Sequence, residues 1–568
     1  MIRVRSLGDT LILKFNYAPD YVSRMRSIGG EPHKEENRWY WTLPQASFSD
    51  LETTFAGELV YETPRHMITG EPAPSLPDHV LAVSDDPLPD LLRLDLFPHQ
   101  CRGIRFSAAN LKEYGFTLLQ DTVGLGKTAQ ALGTAELLRQ EGNVDSPILI
   151  VCLASLKGQW LDEGVYKFTD RSGIVIDQPP KKRHALYEAW NDYDYWIINY
   201  ELILRDKELL QKIPFEMAIV DEPHEKVLNP AGKMHKALAS LDIRKRLFLT
   251  ATPLNNSPIE LFGMFKLCDP DILGRRTKFE KRYMRYDFSP GYPRFIGYRH
   301  LDELKTLITP YSIRRTRHDA GIPFPEVHRV VRKIESTRKQ QKAFAVIGDY
   351  RQELSQRFHD LREKAKDEPD VYGKQLESLE QRIQSLVTYE LLLSNWPSLL
   401  TNARSAFIKE KVAPIVANEK APKFELFMDT MKEMQDEKVL VFTQFRTVAM
   451  QLLEAVNRTI GPAVPYVGQM STKQRQESKD AFNKDSDVRA MVATSAGYTG
   501  LNLPAGSVCI HYDLPWAPTR VDQREGRLTR LDSTHKNILS YVFLTKGLSD
   551  EKVYEAVIEK KALFDFLV

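Results

Sequence analysis

Apolar and polar positions alternate along the chain in a way that separates two long α/β parts from a polar part between them. In the first α/β part, continuous apolar runs predict buried strands at 147–152, 195–200, 217–222 and 246–252. In the second, the corresponding runs lie at 438–443, 490–494, 507–512 and 538–544. Strands that are apolar throughout and separated by helices are typical of parallel sheets covered on both faces. The fold class is therefore α/β, with two parallel-sheet lobes and helical insertions.

The first 64 residues predict a separate small α+β module. The runs I-R-V-R and T-L-I-L-K-F predict two strands joined through Gly8-Asp9, a pair that favours a hairpin turn. Residues 18–28 predict a short helix, and R-W-Y-W-T-L-P at 38–44 alternates as a further strand.

The tryptophans of this last strand have two interpretations. Trp39 and Trp41 share one face and can form the core of a small sheet. Together with Arg38, they can instead form a basic aromatic surface that grips a DNA junction or a single strand by stacking and charge. Both interpretations stay open for Trp39 and Arg38.

Changes in composition predict the domain boundaries. Residues 271–333 are basic and predict an irregular stretch, and 335–395 predict two antiparallel helices with a break near 367–370. The predicted segments are a module at 1–64, a Pro-rich linker at 65–92, a first lobe with a basic insertion at 93–320, a helical protrusion at 321–421, a second lobe at 422–548 and a C-terminal helix at 549–568.

Composition narrows the class of protein only slightly. The chain has 568 residues and a net charge of +2, so a nucleic-acid surface would have to be local. Its four cysteines are far apart and form no C-x-x-C pair, which suits a reducing compartment. With no signal peptide and no apolar run long enough for a bilayer, we expect a cytoplasmic protein without membrane contact.

A phosphate-binding loop follows the apolar run that ends at Leu119. Gly124 and Gly126 let the backbone turn tightly and aim N–H groups at phosphate oxygens. Lys127 can bridge the β and γ phosphates of ATP, and Thr128 can offer a hydroxyl to Mg²⁺. Asp121 stands where such loops usually begin with glycine, so a Gly-rich turn with a solvated lysine is the alternative.

Further candidates for phosphate chemistry lie downstream. Asp221 and Glu222 end an apolar strand, where α/β sheets bind ligands. We predict that Asp221 binds Mg²⁺ and that Glu222 orients the attacking water. Arg527 and Arg530 predict either a charged helix face or arginine fingers for the γ-phosphate. A finger is worth about 4–7 kcal/mol of barrier.

The motifs D-T-V-G-L-G-K-T, D-E-P-H, L-T-A-T-P-L-N-N-S, T-S-A-G-Y-T-G-L-N-L and Q-R-E-G-R-L-T-R occur in this order. Their order and wording resemble the Swi/Snf-type branch of superfamily-two DNA translocases over residues 93–560. The resemblance implies RecA-like lobes, ATP and Mg²⁺ as cofactors, and double-stranded DNA as the partner.

The resemblance also implies roles for individual residues. It places Gln100 and Gln523 at the nucleotide and makes Thr250 and Thr252 couple the ATP site to DNA. It assigns the basic segment with Arg314, Arg315 and Arg317 to alignment of the lobes. The implied DNA contacts are Ser155, Lys157, Trp160, Asn199, Tyr200, Gln444, Thr494, Ser495 and Gly500.

The N-terminal module carries a second resemblance. F-N-Y-A-P-D-Y-V at 15–22 and R-W-Y-W-T-L-P at 38–44 are similar to the HARP module of annealing helicases. The resemblance implies that the module binds branched DNA.

These observations support one main hypothesis and two alternatives. The main hypothesis is an ATP-driven motor on double-stranded DNA that remodels or reanneals forks, acting as a monomer, with a single-stranded-DNA-binding protein as a candidate partner. The first alternative is a motor that displaces proteins such as a polymerase from DNA. The second is a nucleotide-gated DNA-binding protein without productive turnover. Without a histone-reading domain, a bacterial or virus-encoded motor is favoured.

Overall fold

A computed structural model gives the structure of the protein. It describes residues 2–7, 9–15, 19–35, 38–56, 59–61, 83–251, 257–269, 272–287, 294–365, 369–498, 501–530 and 533–567. The chain forms two compact units. Unit 1 comprises Met1–Ile322 with Glu559–Val568, and unit 2 comprises Pro323–Ile558. Among the described residues, no helix combines the length and apolar character needed to cross a membrane.

The N-terminal part of unit 1 is a small sheet with helices packed on one face. Its elements are β1 (Ile2–Leu7), β2 (Thr10–Lys14), α1 (Pro19–Ser27), β3 (Glu31–Glu35), β4 (Arg38–Pro44), α2 (Phe48–Thr54) and β5 (Leu59–Tyr61). The strand order is β3-β4-β2-β1-β5, and the pairing is antiparallel except between β1 and β5. Trp41 is buried and stacks on Phe15, so the core interpretation is confirmed for Trp41.

The main sheet of unit 1 is entirely parallel, with strand order β14-β6-β11-β10-β7-β9-β8. Its strands are β6 (Phe116–Leu119), β7 (Ile148–Cys152), β8 (Gly173–Val175), β9 (Tyr195–Asn199), β10 (Met217–Asp221), β11 (Lys245–Leu249) and β14 (Ser312–Ile313). The helices up to β11 are α3 (Pro98–Glu113), α4 (Lys127–Gln140), α5 (Lys157–Gln159), α6 (Tyr166–Phe168), α7 (Pro180–Glu188), α8 (Tyr200–Leu210) and α9 (Lys233–Ala239). Central strands are buried along their whole length, as continuous apolar runs require.

The prediction of an irregular basic stretch over 271–333 is wrong for the described residues. This region contains α10 at its border (Ile259–Lys266), α11 (Arg276–Tyr283), the hairpin of β12 (Met284–Asp287) and β13 (Arg294–Tyr298), α12 (Leu301–Ile308) and β14. Phe279 and Tyr283 are buried, whereas Lys278 and Lys281 are exposed. The aromatic positions anchor the insertion to the core, so high charge concealed a regular amphipathic pattern.

Unit 2 is built on a second parallel sheet, with strand order β15-β20-β19-β16-β18-β17. Its strands are β15 (Glu326–Glu335), β16 (Val439–Phe442), β17 (Ala463–Tyr466), β18 (Ala490–Ala493), β19 (Val508–His511) and β20 (Asn537–Lys546). Its helices include α15 (Ala413–Val416), α16 (Pro422–Glu433), α17 (Arg446–Thr459), α18 (Thr472–Lys484), α19 (Pro518–Glu525) and α20 (Ser549–Leu567). Two parallel-sheet lobes with helical insertions confirm the predicted fold class.

The helical protrusion of unit 2 consists of α13 (Arg338–Lys364) and α14 (Pro369–Asn395). Thr337 caps α13, because its hydroxyl accepts from the Gln340 amide while the Gln340 side chain accepts from the Thr337 amide. Leu354 and Leu386 lie in the apolar cluster that joins the two helices. The predicted pair of helices is therefore present, and it is preceded by β15, which the sequence did not predict.

Candidate active site

The phosphate loop lies between β6 and α4. Gly124 and Gly126 have φ values of 100° and 74°, in the left-handed region that only glycine adopts without strain. A Cβ on Gly126 would lie 2.2 Å from Gln100 Nε2, so no larger residue fits there while Gln100 holds its position. Lys127 Nζ donates to the Asp121 carbonyl at 2.6 Å. The first residue of α4 therefore places its ammonium over the loop.

The N-terminus of α3 supports this loop. Gln100 Oε1 accepts from the Phe97 amide at 3.0 Å, and Gln100 Nε2 donates to the Leu125 carbonyl at 3.4 Å. His99 Nε2 is 3.1 Å from the same carbonyl. Burial lowers the pKa of His99, which favours the neutral ring, and this outweighs the raising effect of the bond to Leu125. Gln100 thus lies beside the loop, and its predicted contact with the adenine base stays a prediction.

Asp121, the departure from the usual glycine, is buried and fully hydrogen-bonded. Its carboxylate accepts from the amide, Nε and Nη2 of Arg315 and from Gln130 Nε2, at 2.6–3.0 Å. A buried carboxylate is tolerated when it is paired and hydrogen-bonded in this way. Arg315 therefore serves the loop inside unit 1, and its predicted role in aligning the lobes has no support from this placement.

Asp221 lies at the carboxyl end of β10 and is surrounded by aromatic donors. Trp160 Nε1 donates to Asp221 Oδ2 at 2.9 Å, and the Tyr200 hydroxyl donates to the Asp221 carbonyl oxygen at 2.5 Å. Burial first, and then the charge of Glu222, raises the pKa of Asp221 to about 7, although Trp160 and Lys127 act in the opposite direction. The carboxylate is therefore short of positive charge.

Glu222 follows with φ of 51°, a strained conformation for a residue with a side chain. Its amide donates to the Leu249 carbonyl at 2.8 Å, which joins it to the end of β11. His224 Nδ1 lies 3.3 Å from Glu222 Oε2 and 3.0 Å from the Thr250 hydroxyl. Thr250, His224 and Glu222 thus form a chain of contacts across two strand ends. Thr252 lies outside the described residues.

The oxygen ligands at this strand edge fit Mg²⁺, which takes carboxylates together with phosphate oxygens and waters. Asp221 offers a desolvated carboxylate, and Thr128 offers a hydroxyl at the start of α4. Within the described part of the chain, no group of three or more His, Cys, Asp or Glu side chains could hold a metal unaided. A metal here would therefore depend on nucleotide phosphates for part of its coordination.

Among the described side chains of the first lobe that are predicted to contact DNA, Ser155 alone is exposed. Lys157 is buried and its ammonium donates to the Ile176 carbonyl at 2.9 Å, and burial lowers its pKa. Asn199 is mostly buried and donates to Glu201 at 2.7 Å. Trp160 and Tyr200 are turned toward Asp221. The DNA role predicted for Lys157, Trp160 and Tyr200 therefore has no support from their placement.

In unit 2, the predicted nucleotide residues lie on α19 and just after it. Gln523 is buried, and its Oε1 accepts from Arg520 at 3.2 Å. Arg527 is also buried and donates to the carbonyls of Gln523 and Leu501 at 2.9 and 3.1 Å. Arg530 is half-buried. As a finger, Arg527 would have to release these carbonyls, so its predicted role requires a rearrangement.

The residues of unit 2 predicted to contact DNA follow strand ends. Gln444 comes after β16 and donates to the Leu514 carbonyl at 2.8 Å. Thr494 and Ser495 come after β18, and Ser495 is exposed. Because the carboxyl ends of parallel strands meet at one edge, these residues share that edge of the sheet. Gly500 lies outside the described residues.

The N-terminal candidates remain open. Arg38 and Trp39 begin β4, paired with Glu35 and Lys34 of β3, and their side chains lie outside what the structure describes. The choice between core and DNA-binding surface therefore stays a prediction for Trp39.

Comparison with known proteins identifies two regions. Residues 99–385 match the SNF2-related domain, and residues 422–532 match the helicase conserved C-terminal domain. An uncharacterized ATP-dependent helicase of Bacillus subtilis, YqhH, is 28% identical over 80% of this chain and 77% of its own length. The mouse DNA repair and recombination protein RAD54B is 28% identical over 82% of this chain, which spans only 56% of that relative. The Sulfolobus solfataricus SWI2/SNF2 ATPase core in complex with dsDNA is 23% identical, covers 84% of this chain and 93% of its own, and has a TM-score of 0.39.

Two parallel-sheet units, a phosphate loop and an acidic strand end on the first sheet define the class of ATP-dependent helicase-like enzymes. The chain belongs to the SNF2-related family, because the family model matches more than half of its length. It is therefore a DNA-dependent ATPase.

Proposed function

We propose that this enzyme is an ATP-driven translocase on double-stranded DNA that remodels or reanneals forked or branched DNA. The observation that carries the motor part is the meeting of the phosphate loop and Asp221-Glu222 at one edge of the unit 1 sheet. There β11 lies between β6 and β10. The name of the mouse relative, a DNA repair and recombination protein, supports DNA as the substrate.

In the proposed reaction, each residue of unit 1 has one task. Lys127 binds the β and γ phosphates, and the loop amides hold their oxygens. Asp221 and Thr128 hold Mg²⁺, which neutralises phosphate charge when bound. Glu222 orients the attacking water, and its strained backbone aims the carboxylate away from the strand. From unit 2, Gln523, Arg527 and Arg530 are the proposed nucleotide residues.

DNA is proposed to bind through backbone contacts, with little sequence preference. Ser155, Gln444, Thr494 and Ser495 are the candidates, because they follow parallel strands at their carboxyl ends. For fork recognition, we propose the N-terminal module with Arg38 and Trp39. Its similarity to a HARP module supports this assignment.

ATPase activity measured with single-stranded, duplex and forked DNA tests the proposal. We expect duplex DNA to stimulate hydrolysis and forks to stimulate it further. Lys127→Ala and Glu222→Gln should nearly abolish hydrolysis while both variants still bind DNA. Hydrolysis that persists in the Glu222→Gln protein would contradict the water-positioning role.

Fork preference separates the main proposal from its alternatives. Arg38→Ala combined with Trp39→Ala should lower stimulation by forks to the level of linear duplex. Equal stimulation of the wild type by forks and linear duplex would instead favour a motor that displaces bound proteins. Nucleotide-dependent DNA binding without turnover would favour the nucleotide-gated binding protein. Function as a monomer and a single-stranded-DNA-binding protein as partner remain part of the proposal.

A further inference from the structure

The segment that leads from unit 1 toward unit 2 runs alongside the phosphate loop. The Gln120 amide donates to the Ile313 carbonyl at 2.8 Å, and the Thr122 amide donates to the Arg315 carbonyl at 3.1 Å. These bonds continue the parallel pairing of β6 and β14 beyond the ends of both strands. The loop is therefore held on one side by the chain that continues into unit 2 at Pro323.

Arg315 strengthens this attachment through its side chain. It pairs with both carboxylate oxygens of Asp121, and its Nη2 also donates to Gln130 Oε1 at 2.7 Å. A Cβ on Gly103 would lie 2.0 Å from Gln130 Oε1 and 2.5 Å from Arg315 Nη2. Glycine at 103 thus makes room for this cluster. The same Asp121 accepts from Lys127 through its carbonyl, so the clamped residue contacts the phosphate-binding lysine.

Arg317 adds a second point of attachment. Its Nε and Nη2 donate to the Val123 carbonyl at 3.2 and 3.0 Å. Val123 directly precedes Gly124, so this carbonyl belongs to the turn whose amides face the phosphates. The neighbouring Arg314 pairs instead with Asp565 at 3.3 Å. Arg317 and Arg314 therefore form a matched pair, one on the loop and one away from it.

At its other end, the same segment holds the helix that carries Gln523. Arg329 in β15 donates to both oxygens of Glu525 at 2.8 and 2.6 Å, and to Asp522 at 2.8 Å. Burial raises the pKa of Glu525, but the bonds from Arg329 and His511 outweigh it and keep the pKa well below its usual value. This ionised pair orients α19, and Arg527 follows directly after that helix.

We propose that residues 315–329 form a tie between the two sets of nucleotide residues. Arg315 and Arg317 are positioning residues for the phosphate loop, and Arg329 is a positioning residue for α19. Binding of phosphates rearranges the loop carbonyls and amides to which the tie is bonded, so the tie senses occupancy of the loop. The tie goes beyond the proposed function because it acts in the nucleotide cycle whatever DNA structure the motor acts on.

Hydrogen–deuterium exchange of the full chain, with and without Mg²⁺-ADP, tests the tie. In the wild type, ADP should slow exchange at 120–128, at 316–322 and at 518–525. Arg317→Ala should keep the effect at 120–128 and lose more than half of it at 316–322 and 518–525. Arg317→Lys should restore part of the loss, and Arg314→Ala should behave as the wild type. Arg329→Gln should lose the effect at 518–525 alone.

Two results would overturn the tie. Protection of 120–128 without any change at 316–322 in the wild type would overturn the tie but leave the nucleotide site intact. An Arg317→Ala protein with the wild-type pattern would do the same. Absence of protection at 120–128 would contradict the nucleotide site itself and the tie with it. Arg317 is preferred to Arg315 for the test, because removal of Arg315 leaves Asp121 buried without its partner and endangers folding.

Discussion

The indole of Trp160 donates a hydrogen bond to the carboxylate of Asp221, with 2.9 Å between Nε1 and Oδ2. This bond joins the helical segment after β7 to the carboxyl end of β10. The family resemblance assigns Trp160 to the contact with a DNA strand, but it is buried and directed at the candidate metal carboxylate. The structure thus moves this tryptophan from the DNA side to the ATP side of the mechanism.

We expect Trp160→Phe to lower the DNA-stimulated kcat about tenfold, since a hydrogen bond to a charged group contributes roughly 1.5–3 kcal/mol. Its Mg²⁺ requirement should rise, because Asp221 loses a donor that favours its ionised form. Steady-state ATPase rates across Mg²⁺ concentrations measure both effects. Trp190→Phe, a half-buried tryptophan in another cluster, is the control. Weakened DNA binding with unchanged Mg²⁺ dependence would restore the assignment to DNA.

The contact chain from Thr250 through His224 to Glu222 predicts an effect on turnover rather than on nucleotide binding. Thr250→Val keeps the volume but removes the hydroxyl that lies 3.0 Å from His224. We expect kcat to fall about tenfold, the effect of roughly 1.4 kcal/mol, with the KM for ATP changed less than about twofold. Thr250→Ser keeps the hydroxyl and should retain most activity. A rise in KM alone would show that Thr250 acts on ATP binding.

His511 predicts acid sensitivity of unit 2. Burial lowers its pKa, and Arg524 acts in the same direction, although Glu525 opposes both. Because the folded pKa is lower than the unfolded value, the stability that the neutral ring contributes is present above about pH 6.5 and falls as the pH drops below it. The slope is at most about 1.4 kcal/mol per pH unit.

We therefore expect His511→Gln to flatten the fall in unfolding temperature between pH 7 and pH 5. Thermal unfolding measured at several pH values would show this, with the exposed His318 changed to Gln as the control. An equally steep fall in the His511→Gln protein would place the acid sensitivity elsewhere.

Two helical glycines predict opposite effects on stability. A Cβ on Gly263 in α10 would lie 1.9 Å from the Leu228 carbonyl oxygen, a backbone atom that cannot turn aside. Gly263→Ala should therefore destabilise unit 1 by about 1–3 kcal/mol. A Cβ on Gly348 in α13 would meet no heavy atom of the described residues within 4 Å beyond the backbone of its own helix. Gly348→Ala should therefore stabilise by about 0.5–1 kcal/mol. Urea unfolding of both variants checks the difference in sign.

Local patterns carried most of the fold. The apolar runs at the centres of both sheets predicted their strands to within two residues, because a strand buried on both faces shows its burial in every position. β15 was not predicted, because its polar residues lie at the sheet edge and most are exposed. Its parallel pairing with β20 spans about two hundred positions of chain, a relationship that no local pattern contains.

The amino-acid sequence by itself determined the phosphate loop, the acidic strand end and the family, since each depends on neighbouring residues in a fixed order. Only the tertiary structure decided which side chains serve those motifs. The partners of Asp121, Asp221 and Glu525 are Arg315, Trp160 and Arg329, and each is distant in sequence. Buried carboxylates need partners, but strand order and helix packing decide which partners reach them.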